Sequence, residues 1–556
     1  MSVSPSETAL ADAPDAAPKT VARELVETLR ELGVRHVFGV PSGGWVEYME
    51  ALRTTPEIEF ILTTHEGAAG MMADVSARLT GAPGACFGTY GPGATNLATG
   101  VGEALLDRSP VLAFTDEMPE PMRGRTTQMG IDHQALFAPI TKRTTRLTAE
   151  RVRETLLEAA ETALTPRFGP VHVGLPTDLS TRRAMPSAAA PVRPVQPRAP
   201  DALIAAASER LAAARKPLMA IGLGAVRAGV GAQAVAIAEA RGMPVVLTPM
   251  AKGVMSEDHP LYAGVLFHAL SDLVGQTHQQ ADLVVAVGYD PVEFNYESWL
   301  SERAALISLD DEPADIDRAL YEVAVDAPGH IGASLARLVV TAGAPNDWDL
   351  TALAQRRDEM FARLAPSAAG FGPKGALAVL REVLPADGIM TCDVGAHTHL
   401  IGQLWRTPAP GLQIMTNGWS TMGFGVPAAI AAKLVHPDKA VCSVVGDGGF
   451  LMTAGEIATA VRYGVKFVTV VLTDNDLALI RIKQQKKQYP IYGTPVRARG
   501  KIGGPDIFGA EVITADDAES FRAALTRAFA ADGPVIVEAL VDSREYDEVV
   551  LHKDKP

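Results

Sequence analysis

The sequence predicts an α/β fold of three doubly wound domains with mainly parallel sheets. Length, alternation and one proline-rich interruption predict it. At 556 residues the chain is several times the ~150 residues of a typical domain, so it builds several cores and is no small binding module. From Thr20 onward, helical stretches alternate with short β-branched or apolar runs, the pattern of parallel strands covered by helices. Residues 185–200 hold five prolines among Ala and Arg, which resist both helix and strand and mark a boundary.

Residues 1–18 are poor in large apolar side chains and read as a disordered tail. The first domain, 19–184, opens with a helix over 21–32 and strands over 36–40 and 60–63. After the linker at 185–200, the central domain, 201–345, places strands at 218–221, 244–248, 283–287 and 305–309. A polar, helical linker covers 346–373. The third domain, 374–556, holds strands at 388–392, 440–445, 467–472 and 535–540. No short internal repeat occurs, which excludes solenoids and propellers.

Composition narrows the function. Apolar residues form 47% of the chain and charged ones 21%, so there is ample material to bury against chain entropy. Fifty basic against 65 acidic side chains give a formal charge of -15, which repels polyanions and makes nucleic acid a poor partner. Cys86, Cys392 and Cys442 show neither a metal-ligand spacing nor a disulfide framework. No signal-peptide pattern and no run of ~18 apolar residues is present, so a cytoplasmic protein without membrane partners is expected.

The chemistry concentrates in residues 440–476. An apolar strand runs into Gly446, Asp447, Gly448 and Gly449, and a helix is expected from about Phe450 to Gly464. Glycines at a strand end let backbone N–H groups approach a phosphate, and the helix N-terminus adds partial positive charge. Asp447 beside a phosphate would be repelled unless a cation lay between them. The next strand delivers Asp474, Asn475 and Asp476, 27 residues after Asp447, the span one helix and one strand need to return to the same sheet edge. Two carboxylates, a carbonyl and diphosphate oxygens suit Mg²⁺. A lone GDGG is most often just a turn; the spacing is what lifts it.

This layout resembles the thiamine diphosphate binding motif. In the first domain, Glu66 follows a strand in the first turn of a helix, where an acid complements the dipole and where that family carries its activating glutamate. GTYGPGATNLATGVGEALLDRSPVLAFTDE, residues 88–117, looks like the family's pyrimidine-binding domain. RTTQMGIDHQALFAPITK at 125–142, VGYDPVEFNYESW from Val287 and LISLDDEPADIDRAL look like the flavin-independent branch of the acetolactate synthases. The resemblance spans nearly the whole chain from about residue 20 and implies the thiamine diphosphate-binding fold.

Residue by residue, the resemblance implies Glu66 as activating acid and Asp447 and Asp474 as side-chain ligands of Mg²⁺. Asp476 gives the ion a backbone carbonyl. Ala396 and His397 hold the diphosphate, Ser420 meets the aminopyrimidine, and Met422 wedges between the cofactor's rings. Gln128 hydrogen-bonds the substrate. A core methionine is the plain alternative for Met422, and a zinc site at His397-x-His399 lacks further ligands nearby. Glu66 would favour the imino form of the cofactor's pyrimidine, whose nitrogen takes the thiazolium C2 proton. The implied reaction is decarboxylation of a 2-oxo acid, pyruvate first, with ligation to a second carbonyl compound. The implied assembly is a homodimer or homotetramer with active sites at subunit interfaces.

Several departures bear on substrate. Gly67 stands where the family commonly has Gln, leaving more room above the thiazolium. Gly44 and Trp45 stand where the branch has lysine, and Thr127 stands for His before Gln128. Lys487, Arg497, Arg499 and Lys501 lie in a basic, Gly-rich stretch, either a lid over an anionic substrate or a solvated loop. Gly222-Leu223-Gly224 hints at a nucleotide turn, but GxG alone is weak, and no FAD is expected. A simple 2-oxo acid decarboxylase, an N-(carboxyethyl)amino acid synthase with an amine acceptor and an acyl-CoA lyase remain alternatives. So do a silent regulatory or binding homologue, opposed by the retained acids, and a nicotinamide-dependent dehydrogenase, opposed by the missing full GxGxxG.

Overall fold

The computed structural model describes residues 19–367, 370–497 and 500–550; the tail 1–18 and Arg499 lie outside the described residues. Three sheets follow one another along the chain. The first contains β1 (His36–Gly39), β2 (Glu59–Leu62), β3 (Gly84–Gly88), β4 (Val111–Glu117), β5 (Arg143–Arg146) and β6 (Val171–Pro176), in the order β2-β1-β3-β4-β6-β5. The second contains β7 (Pro217–Ile221), β8 (Val245–Leu247), β9 (Tyr262–Val265), β10 (Leu283–Val287), β11 (Ala305–Leu309) and β12 (Val323–Asp326), ordered β12-β11-β10-β7-β8-β9. The third contains β13 (Ile389–Cys392), β14 (Gln413–Met415), β15 (Val441–Gly446), β16 (Val468–Thr473), β17 (Asp506–Ile507), β18 (Ala510–Ala515) and β19 (Val535–Leu540), ordered β14-β13-β15-β16-β19-β18-β17. All pairings between these strands are parallel except β17 with β18.

The central strands are short runs of Val, Ile, Leu and Ala buried on both faces, as a sheet covered by helices on two sides requires. Sheet growth reverses at β1/β3, β7/β10 and β13/β15, and ligands of open α/β sheets bind outside the strand ends at such points. The polar linker contains a helix, Leu350–Leu364. The helix expected from Phe450 begins earlier, at Asp447, and is broken: Asp447–Thr453 is followed by Glu456–Arg462. Gly455 lies at the break, where a Cβ would stand 3.1 Å from Thr64 Oγ1, so the first sheet's unit packs against the interruption. Among the described residues no helix is long and apolar enough to cross a membrane.

Candidate active site

At the β13/β15 reversal the strand ends are in register, Cys392 opposite Val444, and β15 continues so that Gly446 lies opposite Leu472 of β16. Asp447 therefore leaves β15 beside the residue preceding Asp474. Asp447 is buried; its Oδ1 accepts from Gly448 N at 2.9 Å and its Oδ2 from Asn475 N at 2.8 Å. Asp474 Oδ1 accepts from Asp476 N at 3.1 Å. Burial, followed by the Asp447 charge, pushes the Asp474 carboxyl up to about 7, and burial also raises Asp447. Asn475 adopts a left-handed φ of 60°, which turns the chain sharply at this edge. The Asn475 Oδ1 and Asp476 Oδ1 atoms are buried without a hydrogen-bond donor among the described residues. Hard oxygens that are crowded, charged and partly unsatisfied are the donor set a divalent cation with a diphosphate satisfies. The residues present fit that group.

The other wall comes from the chain leaving β13. Ala396 and His397 begin the helix Ala396–Leu404, and His397 Nε2 lies 2.9 Å from Asp393 Oδ1. Asp393 was not foreseen, yet it ties three parts together. Its Oδ2 accepts from Gly423 N at 2.9 Å, beside Met422, and a Cβ on Gly449 would come within 1.8 Å of the same oxygen. Only glycine fits there. Met422 reaches across, its Cε 3.4 Å from where a Cβ on Gly448 would stand. Ser420, at φ 59°, is exposed and its hydroxyl donates to Asn417 O at 2.9 Å, leaving its backbone at the turn before Met422. Ala396, His397, Met422, Gly446, Gly448, Gly449 and the acidic turn are thus brought to one crevice.

Glu66 belongs to the first sheet's edge. It is the first residue of the helix Glu66–Thr80, capped by His65 Nδ1 accepting from Gly67 N at 3.0 Å. Asn96 Nδ2 donates to Glu66 Oε2 at 3.0 Å, and Glu66 is buried. Asn96 sits on the helix Pro92–Leu106, which crosses Glu66–Thr80 at Gly70 and Gly100; a Cβ on either would lie 2.7 Å from the other's Cα. Glycine at both positions lets the backbones touch, and so sets where Glu66 and Asn96 meet. A Cβ on Gly67 would meet His65 Nδ1 at 3.0 Å and Asn96 O at 3.3 Å, so the helix start is closely packed there. Gln128 is exposed, next to Met129, whose carbonyl oxygen would stand 2.9 Å from a Cβ on Gly91. Among the described residues, Glu66 and Gln128 make no hydrogen bond to the acidic turn within this chain.

A buried hub joins the two edges. Arg78 donates to Asp74, to Asp107 Oδ2 at 2.8 Å and to Met415 O at 2.7 Å. Asp107 Oδ1 accepts from Asn417 N at 3.2 Å and Gly418 N at 2.7 Å, which anchors the loop carrying Ser420 and Met422. Glu103 completes the carboxylate group, and burial with those two neighbouring charges pushes it well above the usual range. Asp107→Ala would leave the Asn417 and Gly418 N–H groups without their acceptor and Arg78 with Asp74 as its remaining ion-pair partner. Its expected cost is about 2–4 kcal/mol, read as a lower urea unfolding midpoint, because each buried donor left unsatisfied costs about 1–3 kcal/mol.

Three profiles of thiamine pyrophosphate enzymes match the chain: the N-terminal TPP binding domain over residues 19–136, the central domain over 204–338 and the C-terminal TPP binding domain over 393–539. The chain is 32% identical to the acetolactate synthase isozyme 2 large subunit of Escherichia coli, over 94% of this chain and 96% of that one. The chain belongs to the thiamine pyrophosphate enzyme family. A probable acetolactate synthase large subunit of Methanocaldococcus jannaschii is 31% identical over 83% of this chain and 81% of its own length. An acetolactate synthase of Bacillus subtilis is 30% identical over 96% and 94%. As a thiamine pyrophosphate enzyme, this chain places its acidic turn inside the matched C-terminal domain and Glu66 inside the N-terminal one.

Proposed function

We propose that the chain is a thiamine diphosphate- and Mg²⁺-dependent enzyme that decarboxylates a 2-oxo acid, pyruvate first, and joins the acyl unit to a second carbonyl compound. The observation that carries this reading is the convergence of Asp447, Asp474 and Asn475 at the paired ends of β15 and β16, beside buried oxygens of Asn475 and Asp476 that have no hydrogen-bond donor among the described residues. Asp447 and Asp474 would hold the ion by their side chains and Asp476 by its carbonyl, since the Asp476 carboxylate is paired with Arg481 Nε at 3.0 Å. Ala396 and His397 would hold the diphosphate at their helix start. When bound, the cofactor supplies the electron sink that lets a 2-oxo acid lose CO₂.

Glu66 holds and moves the proton on the pyrimidine ring. Asn96 fixes its Oε2, and Oε1 stays clear because Gly93 has no side chain: a Cβ there would stand 3.2 Å from it. Met422 would support the cofactor between its rings, and Gln128 would meet the substrate. Glu66 of one copy facing the acidic turn of another makes the homodimer, or a homotetramer, the working unit. The exposed apolar side chains of Leu451, Met452 and Trp419 beside the acidic crevice support a second copy covering that face.

Gly44 leaves no room for a basic side chain, since a Cβ there would meet Asp116 Oδ1 at 2.8 Å, so the substrate carboxylate is met by other groups. The reading takes no flavin. Its support is the turn Gly222–Gly224, where Gly224 N donates to Gly288 O at 2.8 Å and Glu293 carboxyl oxygens accept from Leu223 N and Met250 N, so these N–H groups are already engaged within the chain. Free, buried Cys86, Cys392 and Cys442 support a cytoplasmic setting.

The test is incubation of the protein, thiamine diphosphate and Mg²⁺ with a panel of 2-oxo acids, alone and with aldehydes or amines, with products identified by mass. Acetolactate from pyruvate is the expected product. An aldehyde with CO₂ would make it a simple decarboxylase, an N-(carboxyethyl)amino acid would make an amine the acceptor, and no turnover with any donor would overturn the enzyme reading.

A further inference from the structure

The stretch 487–509 carries basic side chains that the proposed chemistry leaves unused. Lys487 and Lys501 are exposed, but Arg497 turns inward. Its approach is built into the backbone. Leu477 N donates to Thr494 O at 2.9 Å, Val496 N donates to Asn475 O at 3.0 Å, and Asp476 pairs with Pro495 in an isolated antiparallel bridge. The segment 494–496 is therefore strapped to the same turn that presents Asp474 and Asp476. Val496 Cγ2 and Met422 Cε both lie over Gly448, 3.7 and 3.4 Å from where a Cβ would stand. The strap delivers the Arg497 guanidinium to Asp447, with Nη2 3.6 Å from Oδ2.

That separation is an ion contact and too long for a hydrogen bond. Both Asp447 oxygens already accept from backbone N–H groups, those of Gly448 and Asn475. Nε, Nη1 and Nη2 of Arg497 are all buried, and among the described residues none has a hydrogen-bond acceptor. A guanidinium carries five N–H donors in a rigid planar fork and cannot shed its charge, so burying it unpaired is costly unless an acceptor-rich anion belongs beside it. A diphosphate supplies oxygens in the geometry that the fork matches two at a time.

We infer that Arg497 is a ligand of the cofactor's diphosphate, carried to it by the strap 494–497. The inference rests on the thiamine diphosphate reading. It names a contact in which the arginine meets phosphate oxygens while the cation meets the carboxylates, so that neither positive charge has to share one acceptor. The competing anion is the substrate's carboxylate. Arg497 is placed beside Asp447 and Gly448, at the metal end, and the reacting carbon belongs to the cofactor's thiazolium, not to its diphosphate.

The test titrates the full chain, with Mg²⁺ present, with thiamine diphosphate and separately with thiamine, following tryptophan fluorescence or heat. Wild type, Arg497→Gln and Arg497→Lys are compared. Arg497→Gln is expected to raise the Kd for thiamine diphosphate by about 10–100-fold, the size of a lost charge-assisted hydrogen-bond pair, with thiamine binding unchanged. Arg497→Lys keeps the charge without the fork and is expected to fall between. An unchanged urea midpoint in both variants shows that the strap stays folded. Unchanged Kd with a raised KM for the 2-oxo acid would assign Arg497 to the substrate and overturn the inference. Unchanged Kd and KM, or equal loss for thiamine and its diphosphate, would overturn it as well. If wild type itself bound no thiamine diphosphate, the cofactor reading would fall and take this contact with it; failure confined to the variants leaves that reading standing.

Discussion

Glu66→Gln is expected to leave the fold and the affinity for thiamine diphosphate in place while slowing exchange of the cofactor's C2 proton by about 10²–10⁴-fold, the usual worth of a placed acid or base. The substitution is nearly isosteric. Asn96 Nδ2 can still donate to the remaining side-chain oxygen, and the His65 cap of the helix does not involve residue 66's side chain. What is lost is the carboxyl group's ability to hold a proton. Deuterium exchange at C2, quenched with acid and read by NMR, measures that step before any substrate is added. Exchange at the wild-type rate would remove Glu66 from the mechanism. Collapse of the fold would instead show that the buried carboxylate is structural.

Asp447→Asn is expected to weaken Mg²⁺-dependent cofactor binding by about 100-fold or more, because a metal-ligand charge is removed from a site with few others. The amide oxygen can still accept from one of the two backbone donors, Gly448 N or Asn475 N, that the carboxylate engages. The fold should therefore survive with a lowered urea midpoint, since the buried Arg497 guanidinium loses its counter-charge and one backbone donor loses its acceptor. Titrating thiamine diphosphate at several Mg²⁺ concentrations checks it. Equal affinity for variant and wild type would dismiss Asp447 as a ligand.

Much of this was legible in the sequence because the pieces are local. The strand, the glycine turn, one helical layer and the next strand between Asp447 and Asp474 form a single unit whose length is fixed by its geometry, so 27 residues of spacing carry three-dimensional information. Glu66 was legible for the same reason, as the residue that starts a helix after a strand. What was not legible is held by distant chain segments. Asp393 looks like any acid after a strand until Gly423 and Gly449 are folded against it. The break at Gly455 has no signature in helical periodicity; it lies against Thr64, which approaches from the first sheet's unit and shares Glu456 Oε1 with His65 N. Asp107 and Arg78 read as ordinary helix-end charges and turn out to hold the loop of Met422. Arg497 was visible as one basic residue among several, but its inward direction follows from the strap, which pairs residues ~20 positions apart in an irregular segment and leaves no periodic trace.

The crossing at Gly70 and Gly100 has a consequence for how the enzyme should respond to heat. A contact between two backbones has no rotamers to populate, so warming cannot gradually blur the separation of the two rods. Glu66 is one turn from that crossing and Asn96 one turn from its mate, so their alignment behaves as a property of the scaffold and not of its side chains. The geometry for proton transfer should then persist as temperature rises, with the rate climbing as its barrier dictates, and be lost only where the pair of rods comes apart.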